Sequence, residues 1–272
     1  MNKVCEYYNT VYDEDKRLND ECDNRHKTER EIKKRIILEY AHGSILDCSA
    51  GTGLYTLWLV QNGFNVTACD IVPEHVEQIK HKCKEYDVSV CVADALDLPY
   101  EEDSFDTILL AGALYHLPLN KQIIAIKEAY RVCRPNGFVL FDYLSAVHGI
   151  IQHELLDRNF LSQYKSNKSN EKIDEIFSYN TFSDMKAKIM EAGFDYIKVY
   201  GTDSITRFIR QDINKLDEKN CDEWIDFIYS ISANENIIDL SEHCIIVGKK
   251  KEKNMSITHK AKALGLVKAQ ID

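Results

Sequence analysis

The residues best suited to chemistry lie in one short glycine-containing segment and in an aspartate that follows it. The segment ILDCSAGTG (45–53) is an apolar stretch that leads into two glycines. Glycines let the backbone approach a ligand closely, and a helix that starts there offers free N–H groups. Asp70 ends the next apolar stretch, where a carboxylate can accept hydrogen bonds from both hydroxyls of a ribose. The combination predicts a site for a nucleoside-containing cofactor.

The same segment distinguishes between two classes of cofactor. The dinucleotide fingerprint G-x-G-x-x-G needs a third glycine at position 56, and the chain has Thr56 there. Asp47 would repel a pyrophosphate, but it can attract the amino group of a cationic methionine moiety. These residues favour S-adenosylmethionine. A nicotinamide-dependent oxidoreductase, and a tight turn that binds nothing, stay as alternatives.

Alternating strand-like and helix-like segments must position these residues. The predicted strands are 44–48, 65–69, 88–92, 105–111, 138–144, 194–201 and 243–250. The predicted helices are 54–62, a segment from Pro73, 121–132 with Asn120 as its cap, and 181–193, and a turn RPNG precedes the strand at 138. This order predicts an α/β fold, a Rossmann-like sheet of seven mostly parallel strands with helices on both faces.

Three regions lie outside this predicted core and are expected to cap it. The expected division is a helical arm at 1–43, a domain at 44–250 with insertions at 144–180 and 202–242, and a C-terminal tail at 251–272.

The stretch from Ser44 to Tyr143 resembles the class I S-adenosylmethionine-dependent methyltransferases, and in particular their small-molecule, type 11-like branch. ILDCSAGTG resembles the first motif of that family and Asp70 the second. VADALDLPYEEDSFD (92–106) resembles the third motif, and RVCRPNGFVL (131–140) a later one.

The resemblance implies S-adenosylmethionine as the cofactor and methyl transfer to a small molecule. It places the glycine turn at the methionine end, Asp70 at the ribose, Ile71 on the adenine face, and Asp94 with Ala95 at the adenine edge. The complete set of expected cofactor-binding residues is Asp47, Ser49, Ala50, Gly51, Gly53, Tyr55, Asp70, Ile71, Asp94, Ala95 and Ala111.

The chain departs from the family pattern at Ser49, where the family has glycine. We expect an ordinary backbone conformation there, because Ala50 is small and Gly51 and Gly53 remain available for the tight turn.

Tyr115 and His116 follow the fourth predicted strand and are the candidate catalytic residues. A base is needed only if the acceptor must lose a proton, and histidine is suited to proton transfer near neutral pH. The alternative is that His116 packs or caps a turn. The candidate substrate or cap residues are Tyr8, Tyr12, Arg17 and His148. The arm that carries the first three is expected to fold over the cofactor, or else to be an ordinary surface helix.

Composition and charge narrow the possible partners. The formal net charge is -10 and the pI is near 5.4, which disfavours long nucleic acid, and nucleic-acid methyltransferase signatures such as Asn-Pro-Pro-Tyr or Pro-Cys are missing. We find no apolar run long enough to span a membrane and expect a cytoplasmic protein. The nine cysteines are scattered without a CxxC pair, so we expect free thiols and no metal. A protein acceptor, and a non-catalytic S-adenosylmethionine-binding sensor or partner, stay as alternatives, and the oligomeric state is not predicted.

Overall fold

The computed structural model describes Tyr7, residues 23–156 and residues 176–252. The elements in these ranges are α1 (Asn24–Tyr40), β1 (Ser44–Cys48), α2 (Leu54–Gln61), β2 (Asn65–Asp70), α3 (Pro73–Lys82), β3 (Ser89–Val92), β4 (Phe105–Leu110), α4 (Leu119–Val132), β5 (Cys133–Ser145), α5 (Ala146–Leu156), β6 (Tyr179–Asn180), α6 (Phe182–Glu191), β7 (Phe194–Gly201), α7 (Arg210–Ile213), α8 (Glu218–Ile231) and β8 (His243–Lys250). Three 3₁₀ turns cover Leu114–His116, Ser204–Arg207 and Ile238–Leu240. No helix in the described ranges is both long and apolar enough to cross a bilayer.

The strands form one mixed sheet in the order β3-β2-β1-β4-β5-β8-β7. All neighbours pair in parallel except β8, which is antiparallel to both β5 and β7. The two-residue strand β6 pairs in parallel with the end of β5 and is an eighth strand that the sequence did not predict. The expected α/β architecture of mostly parallel strands is therefore confirmed.

Both faces of the sheet are buried, because strand residues alternate between two apolar clusters. Ile108 and Phe141 belong to the cluster beneath α4 and α6. Leu109 and Leu140 belong to the opposite cluster, which α1, α2 and α8 cover. Parallel strands that are covered on both sides give the continuous apolar runs seen in the sequence.

Two local predictions near β5 are wrong. The RPNG segment lies within β5, where Asn136 has a φ of +68° and the pairing with β4 shifts register, so the strand bends without being interrupted. Helix α4 begins at Leu119 with Pro118 as its N-cap, which places Asn120 inside the first turn. Pro118 has an extended backbone before the helix and makes no side-chain cap bond, so Asn120 does not cap α4.

Helix α1 lies on the sheet face that α2 and α8 share. The Asp23 side chain accepts hydrogen bonds from the backbone N–H groups of Arg25 and His26 and so begins the helix. Ile32 and Ile36 of α1 are completely buried in the core. Their burial holds the polar residues of the preceding turns over the carboxyl end of the sheet.

Candidate functional site

The glycine turn joins β1 to α2 and adopts a left-handed backbone at several positions. Gly51 has a φ of +55° and Gly53 a φ of +86°, and a Cβ added to Gly53 would lie 2.8 Å from Ile79. Ser49 also has a positive φ, +62°, so the expectation of an ordinary backbone there is wrong. Ser49 therefore adopts the left-handed backbone conformation that glycine favours. This conformation is energetically unfavourable for a residue with a Cβ.

Asp70 holds this turn against the end of β2. One carboxylate oxygen accepts the Gly51 N–H at 2.8 Å, and the other accepts the Val72 N–H at 2.9 Å and lies 3.3 Å from Nδ1 of His75. A carboxylate can accept about four hydrogen bonds. The buried Asp70 carboxylate can therefore accept a further hydrogen bond from a ligand.

Asp47 lies at the end of β1, beneath the first turn of α2. Its side chain is buried and accepts a hydrogen bond from the Thr56 hydroxyl at 2.6 Å. The bond ties the end of β1 to the first turn of α2. Tyr55, one residue earlier, is half-buried on the same turn.

The expected adenine-side residues lie after β2 and β3. Ile71 is half-buried directly after β2. Asp94 is exposed, its side chain accepts the Leu96 N–H at 2.9 Å, and Ala95 beside it is buried. Because these loops follow neighbouring parallel strands, they lie at the same edge of the sheet as the glycine turn.

Gly112 connects the glycine turn to the predicted catalytic residues. It follows Ala111 after β4 and has a φ of +111°. A Cβ added there would lie 3.4 Å from the Ser49 carbonyl oxygen and 3.5 Å from the Tyr115 hydroxyl. The Tyr115 hydroxyl is therefore close to the glycine turn.

Tyr115 and His116 form an aromatic cluster with residues from the arm and the first insertion. The Phe177 ring centroid lies 5.1 Å from that of His116, 6.3 Å from that of Tyr115 and 5.9 Å from that of Tyr7. His116 Nδ1 lies 3.2 Å from the Ile176 carbonyl oxygen.

A hydrogen-bond network fixes the 3₁₀ turn Leu114–His116. The Ser178 backbone N–H donates to the Tyr115 carbonyl at 2.7 Å, and Gln122 donates to the Leu114 carbonyl at 2.8 Å. Gln122 in turn accepts from the Lys188 ammonium at 2.6 Å. Burial lowers the pKa of Lys188, with partial compensation from Asp184.

Of the four predicted substrate or cap residues, the structure describes only His148. His148 is buried in α5, and its Nδ1 lies 3.3 Å from the Leu240 carbonyl oxygen. Tyr8, Tyr12 and Arg17 lie outside the described residues. No group of metal-ligating side chains is present in the described ranges.

Sequence reasoning missed four buried charged or titratable residues beside Tyr115. The Lys33 ammonium donates to Asp142 at 2.6 Å and pairs with Glu29 at 2.9 Å, while Nδ1 of His243 lies 3.3 Å from the other Asp142 oxygen. The His243 and Tyr115 ring centroids are 5.6 Å apart. We call Glu29, Lys33, Asp142 and His243 the ionic quartet. The available signal was a carboxylate within the apolar strand FVLFDYL.

Ion pairing keeps Lys33 and Asp142 charged despite their burial. Burial alone would lower the pKa of Lys33, but Asp142 and Glu29 more than offset it, and the pKa lies well above its ordinary value. Burial alone would raise the pKa of Asp142, and Lys33 and His243 hold it below its ordinary value instead.

Comparison with known proteins finds similar methyltransferases. Residues 46–141 match the type 11 family model described as a methyltransferase domain. The chain is 32% identical over 152 residues to 2-methyl-6-phytyl-1,4-hydroquinone methyltransferase 1, chloroplastic, of Oryza sativa subsp. japonica, a match that covers 55% of this chain and 44% of that protein. It is 26% identical over 176 residues to a ubiquinone/menaquinone biosynthesis C-methyltransferase of Rickettsia prowazekii (strain Madrid E), covering 57% of this chain and 70% of the relative. The chain thus spans less than half the length of the rice relative.

Solved structures share the fold. An S-adenosylmethionine-dependent methyltransferase from Thermotoga maritima superposes with a TM-score of 0.59 at 17% identity, covering 90% of this chain and 98% of that one. A protein from Methanosarcina mazei described in the same words gives a TM-score of 0.57 at 17% identity, covering 80% of this chain and 98% of that one. Residues 46–141 thus match a methyltransferase domain of the type 11 family, and the chain shares its fold with S-adenosylmethionine-dependent methyltransferases.

Proposed function

We propose that the chain transfers a methyl group from S-adenosylmethionine to a small aromatic molecule. The observation that carries the proposal is the 2.8 Å hydrogen bond from the Gly51 N–H to Asp70, which joins the glycine turn to the carboxylate expected at the ribose. Tyr115 stands next to this turn, because a Cβ added at Gly112 would lie 3.5 Å from the Tyr115 hydroxyl and 3.4 Å from the Ser49 carbonyl oxygen.

The residues at this edge of the sheet fit the cofactor of the family. The Asp70 carboxylate retains acceptor capacity for ribose hydroxyls, and Gly112 leaves space between the Ser49 carbonyl and the Tyr115 hydroxyl. We assign Ile71 and Ala95 to the adenine ring and the turn at Ser49–Gly53 to the methionine end. Asp47 supports that turn through Thr56.

The contribution of the protein to the reaction is alignment. S-adenosylmethionine supplies a methyl group that is already activated on a sulfonium. Holding the acceptor in line with it accounts for several kcal/mol of the barrier, roughly as for other well-oriented reactions. Tyr115 is held from both sides, by the Ser178 bond to its carbonyl and by its ring contacts, and so presents a fixed wall to the acceptor.

The aromatic cluster supports an aromatic acceptor. Tyr115, His116 and Phe177 offer ring faces and edges beside the proposed methyl position, and aromatic rings pair favourably in offset or edge-on contact. The name of the rice relative describes a hydroquinone methyltransferase, which agrees in acceptor class. We further propose that the arm at 1–43 and the insertion at 144–180 close this pocket, because Tyr7 of the arm contacts Phe177 edge-on.

The test combines binding with turnover. The purified protein should bind S-adenosylmethionine by calorimetry and release S-adenosylhomocysteine when 1,4-hydroquinone or catechol is added. Tight binding without release, with these probes and with a small-molecule extract of cells, would instead support a non-catalytic sensor. A variant lacking residues 1–20 should keep its circular dichroism spectrum and bind the acceptor probe more weakly.

Gly112 provides a variant with a matched control. Gly112→Val adds a side chain at the proposed methyl position, whereas Gly63→Val adds one at a similar φ of +83° with no atom within 4 Å. Both changes strain the backbone, so a loss of turnover confined to Gly112→Val identifies the space beside Tyr115 as the reaction site. Equal losses would contradict that assignment.

A further inference from the structure

His243 occupies a position that no sequence motif indicated. It is the first residue of β8, and its side chain is buried against α1 on the sheet face that also carries Asp142. Nδ1 lies 3.3 Å from Oδ1 of Asp142, within hydrogen-bond reach. Nε2 lies 3.8 Å from the Glu29 carboxylate, beyond hydrogen-bond distance. Donation from Nδ1 to Asp142 leaves a lone pair on Nε2 in the neutral ring.

The partner of His243 is itself held in place. The second oxygen of Asp142 accepts the Lys33 ammonium at 2.6 Å, and Lys33 also pairs with Glu29 at 2.9 Å. Lys33 fixes the carboxylate that orients the imidazole. In acid–base catalysis by histidine, a buried carboxylate on one ring nitrogen selects the tautomer and stabilises the imidazolium that forms.

Other charged and titratable groups face the same ring. Asp203, which follows β7, interacts electrostatically with His243 and Glu29, and it is balanced by Arg25 and Arg207. The Tyr115 ring lies edge-on to His243 at 5.6 Å. Its hydroxyl lies next to Gly112 and the glycine turn, so His243 and the turn lie beside the same aromatic side chain.

We propose that His243 is the acid–base residue of the site, with Asp142 and Lys33 as positioning residues. This inference rests on the proposed methyl transfer and specifies its acceptor class: a molecule that attacks through an oxygen or nitrogen bearing a proton. The O–H or N–H bond breaks and its proton moves to Nε2 of His243. The electron pair of that atom forms the bond to the methyl carbon, the carbon–sulfur bond breaks, and its electrons remain on sulfur as S-adenosylhomocysteine.

His243 is better equipped for this role than His116. His116 contacts a neutral carbonyl, that of Ile176, through Nδ1. A carboxylate stabilises a positively charged ring more than a carbonyl does, because the charges attract directly. Proton acceptance therefore costs less free energy at His243.

The first arm of the test reads the imidazole directly. Nitrogen NMR of histidine-labelled protein, saturated with S-adenosylhomocysteine, should find neutral His243 protonated on Nδ1, and addition of catechol should shift its Nε2 resonance. Asp142→Asn should abolish the single tautomer. A neutral ring protonated on Nε2, or an Nε2 resonance that catechol leaves unchanged, overturns the proposal whether or not the protein turns over these probes.

The second arm measures turnover with catechol and 1,4-hydroquinone. His243→Gln should lower the rate by about 10²- to 10⁴-fold while the affinity for S-adenosylmethionine stays within about twofold. The wild-type rate should rise with pH as the acid–base residue loses its proton, and the rise should disappear in His243→Gln. His81→Gln, at an exposed position on α3, is the matched control and should change neither.

The outcomes separate the two proposals. Turnover that survives in a folded His243→Gln refutes the role of His243 and leaves methyl transfer standing. Binding of S-adenosylmethionine without turnover in the wild-type protein refutes methyl transfer to these probes, and the NMR arm then decides whether His243 contacts the acceptor. If His243→Gln fails to fold, the NMR measurement on Asp142→Asn and the pH dependence of the wild-type rate decide whether His243 has this role.

Discussion

Lys33 of α1 and Asp142 of β5 form a buried ion pair, with Nζ 2.6 Å from Oδ2 across 109 residues of sequence. Both side chains are almost inaccessible to solvent, at 7% and 2% exposure. The pair joins the helix before the sheet to the central strands at the edge where the predicted cofactor site lies. Removing one partner would leave the other as a buried charge, which is more costly than never having built the pair.

Lys33→Met should therefore destabilise the fold by about 3 kcal/mol, because Asp142 loses the ammonium that offsets its burial. Urea denaturation measures the change. The loss of stability should be smaller at acidic pH. In the wild type, Lys33 and His243 hold the pKa of Asp142 low, whereas in the variant acid protonates Asp142 and removes its unpaired charge.

Lys80→Met is the matched control for this prediction. Lys80 pairs with Glu77 at 2.8 Å, but the side chains are 50% and 72% exposed. Exposed pairs contribute little, and the change should stay within about 0.5 kcal/mol. Equal losses in the two variants would mean that the Lys33 pair contributes no more than a surface pair.

Local sequence patterns predicted the strands of this protein well, but they did not predict contacts between distant residues. The bounds of β7 and β8 coincide with the predicted ones, because both strands are apolar runs between clear helix and turn signals. The ionic quartet was not predictable in the same way. Glu29 and Lys33 stand in a polar helix, and nothing local distinguishes them from surface residues until α1 is placed on the sheet.

Backbone conformation was also beyond local inference. Ser49 keeps a φ of +62° without glycine, because its neighbours in the turn are fixed by Asp70 and by the start of α2. Propensity argues for an ordinary conformation there, and tertiary context overrides it.

Asp70→Asn should weaken S-adenosylmethionine binding by about ten- to a hundredfold. The amide loses the negative charge and one acceptor, while the Gly51 and Val72 N–H groups still require acceptors. Losses of about 1.5–3 kcal/mol are typical of hydrogen bonds to charged groups. Calorimetry measures the affinity, and Asp195→Asn, at an exposed position on β7, should leave it unchanged. An affinity within twofold of wild type for Asp70→Asn would contradict the ribose assignment.

Ser49→Gly should stabilise the fold by about 0.5–1 kcal/mol. A left-handed residue with a Cβ costs about 1–2 kcal/mol, and glycine returns about 0.5–1 kcal/mol of that through the entropy of the unfolded chain. The backbone strain at Ser49 is already present without a ligand. Removing it should therefore leave the affinity for the cofactor unchanged. Thermal melting and calorimetry test the two statements separately.

Ala50→Gly is the control for Ser49→Gly within the same turn. Ala50 does not have a positive φ, so glycine there gains no relief and should cost about 0.5–1 kcal/mol. Parallel changes in melting temperature for the two variants would show that strain at Ser49 is not the cause. Tighter cofactor binding in Ser49→Gly would show instead that the serine side chain obstructs the ligand.

Asp203 should make stability depend on pH in the direction opposite to most carboxylates. Burial, and then repulsion from Glu29, raise the pKa of Asp203 from 3.8 to about 6, against the attraction of His243, Arg207 and Arg25. The folded state thus holds this proton more tightly than the unfolded state does. Stability gained from the protonated form is complete below about pH 4 and is lost as the pH rises through about 6.

Asp203→Asn isolates this effect, because the amide oxygen can still accept the Glu242 N–H that Asp203 binds at 2.9 Å. The free energy of unfolding of the variant, relative to wild type, should increase by up to about 3 kcal/mol between pH 4 and pH 7, since each pKa unit corresponds to about 1.4 kcal/mol. Urea denaturation across this range measures it. The same difference for Asp195→Asn, whose side chain is 54% exposed, should stay flat. A flat difference for Asp203→Asn as well would mean that Asp203 ionises in the folded protein as readily as in the unfolded chain, and that Arg25 and Arg207 fully compensate its burial beside Glu29.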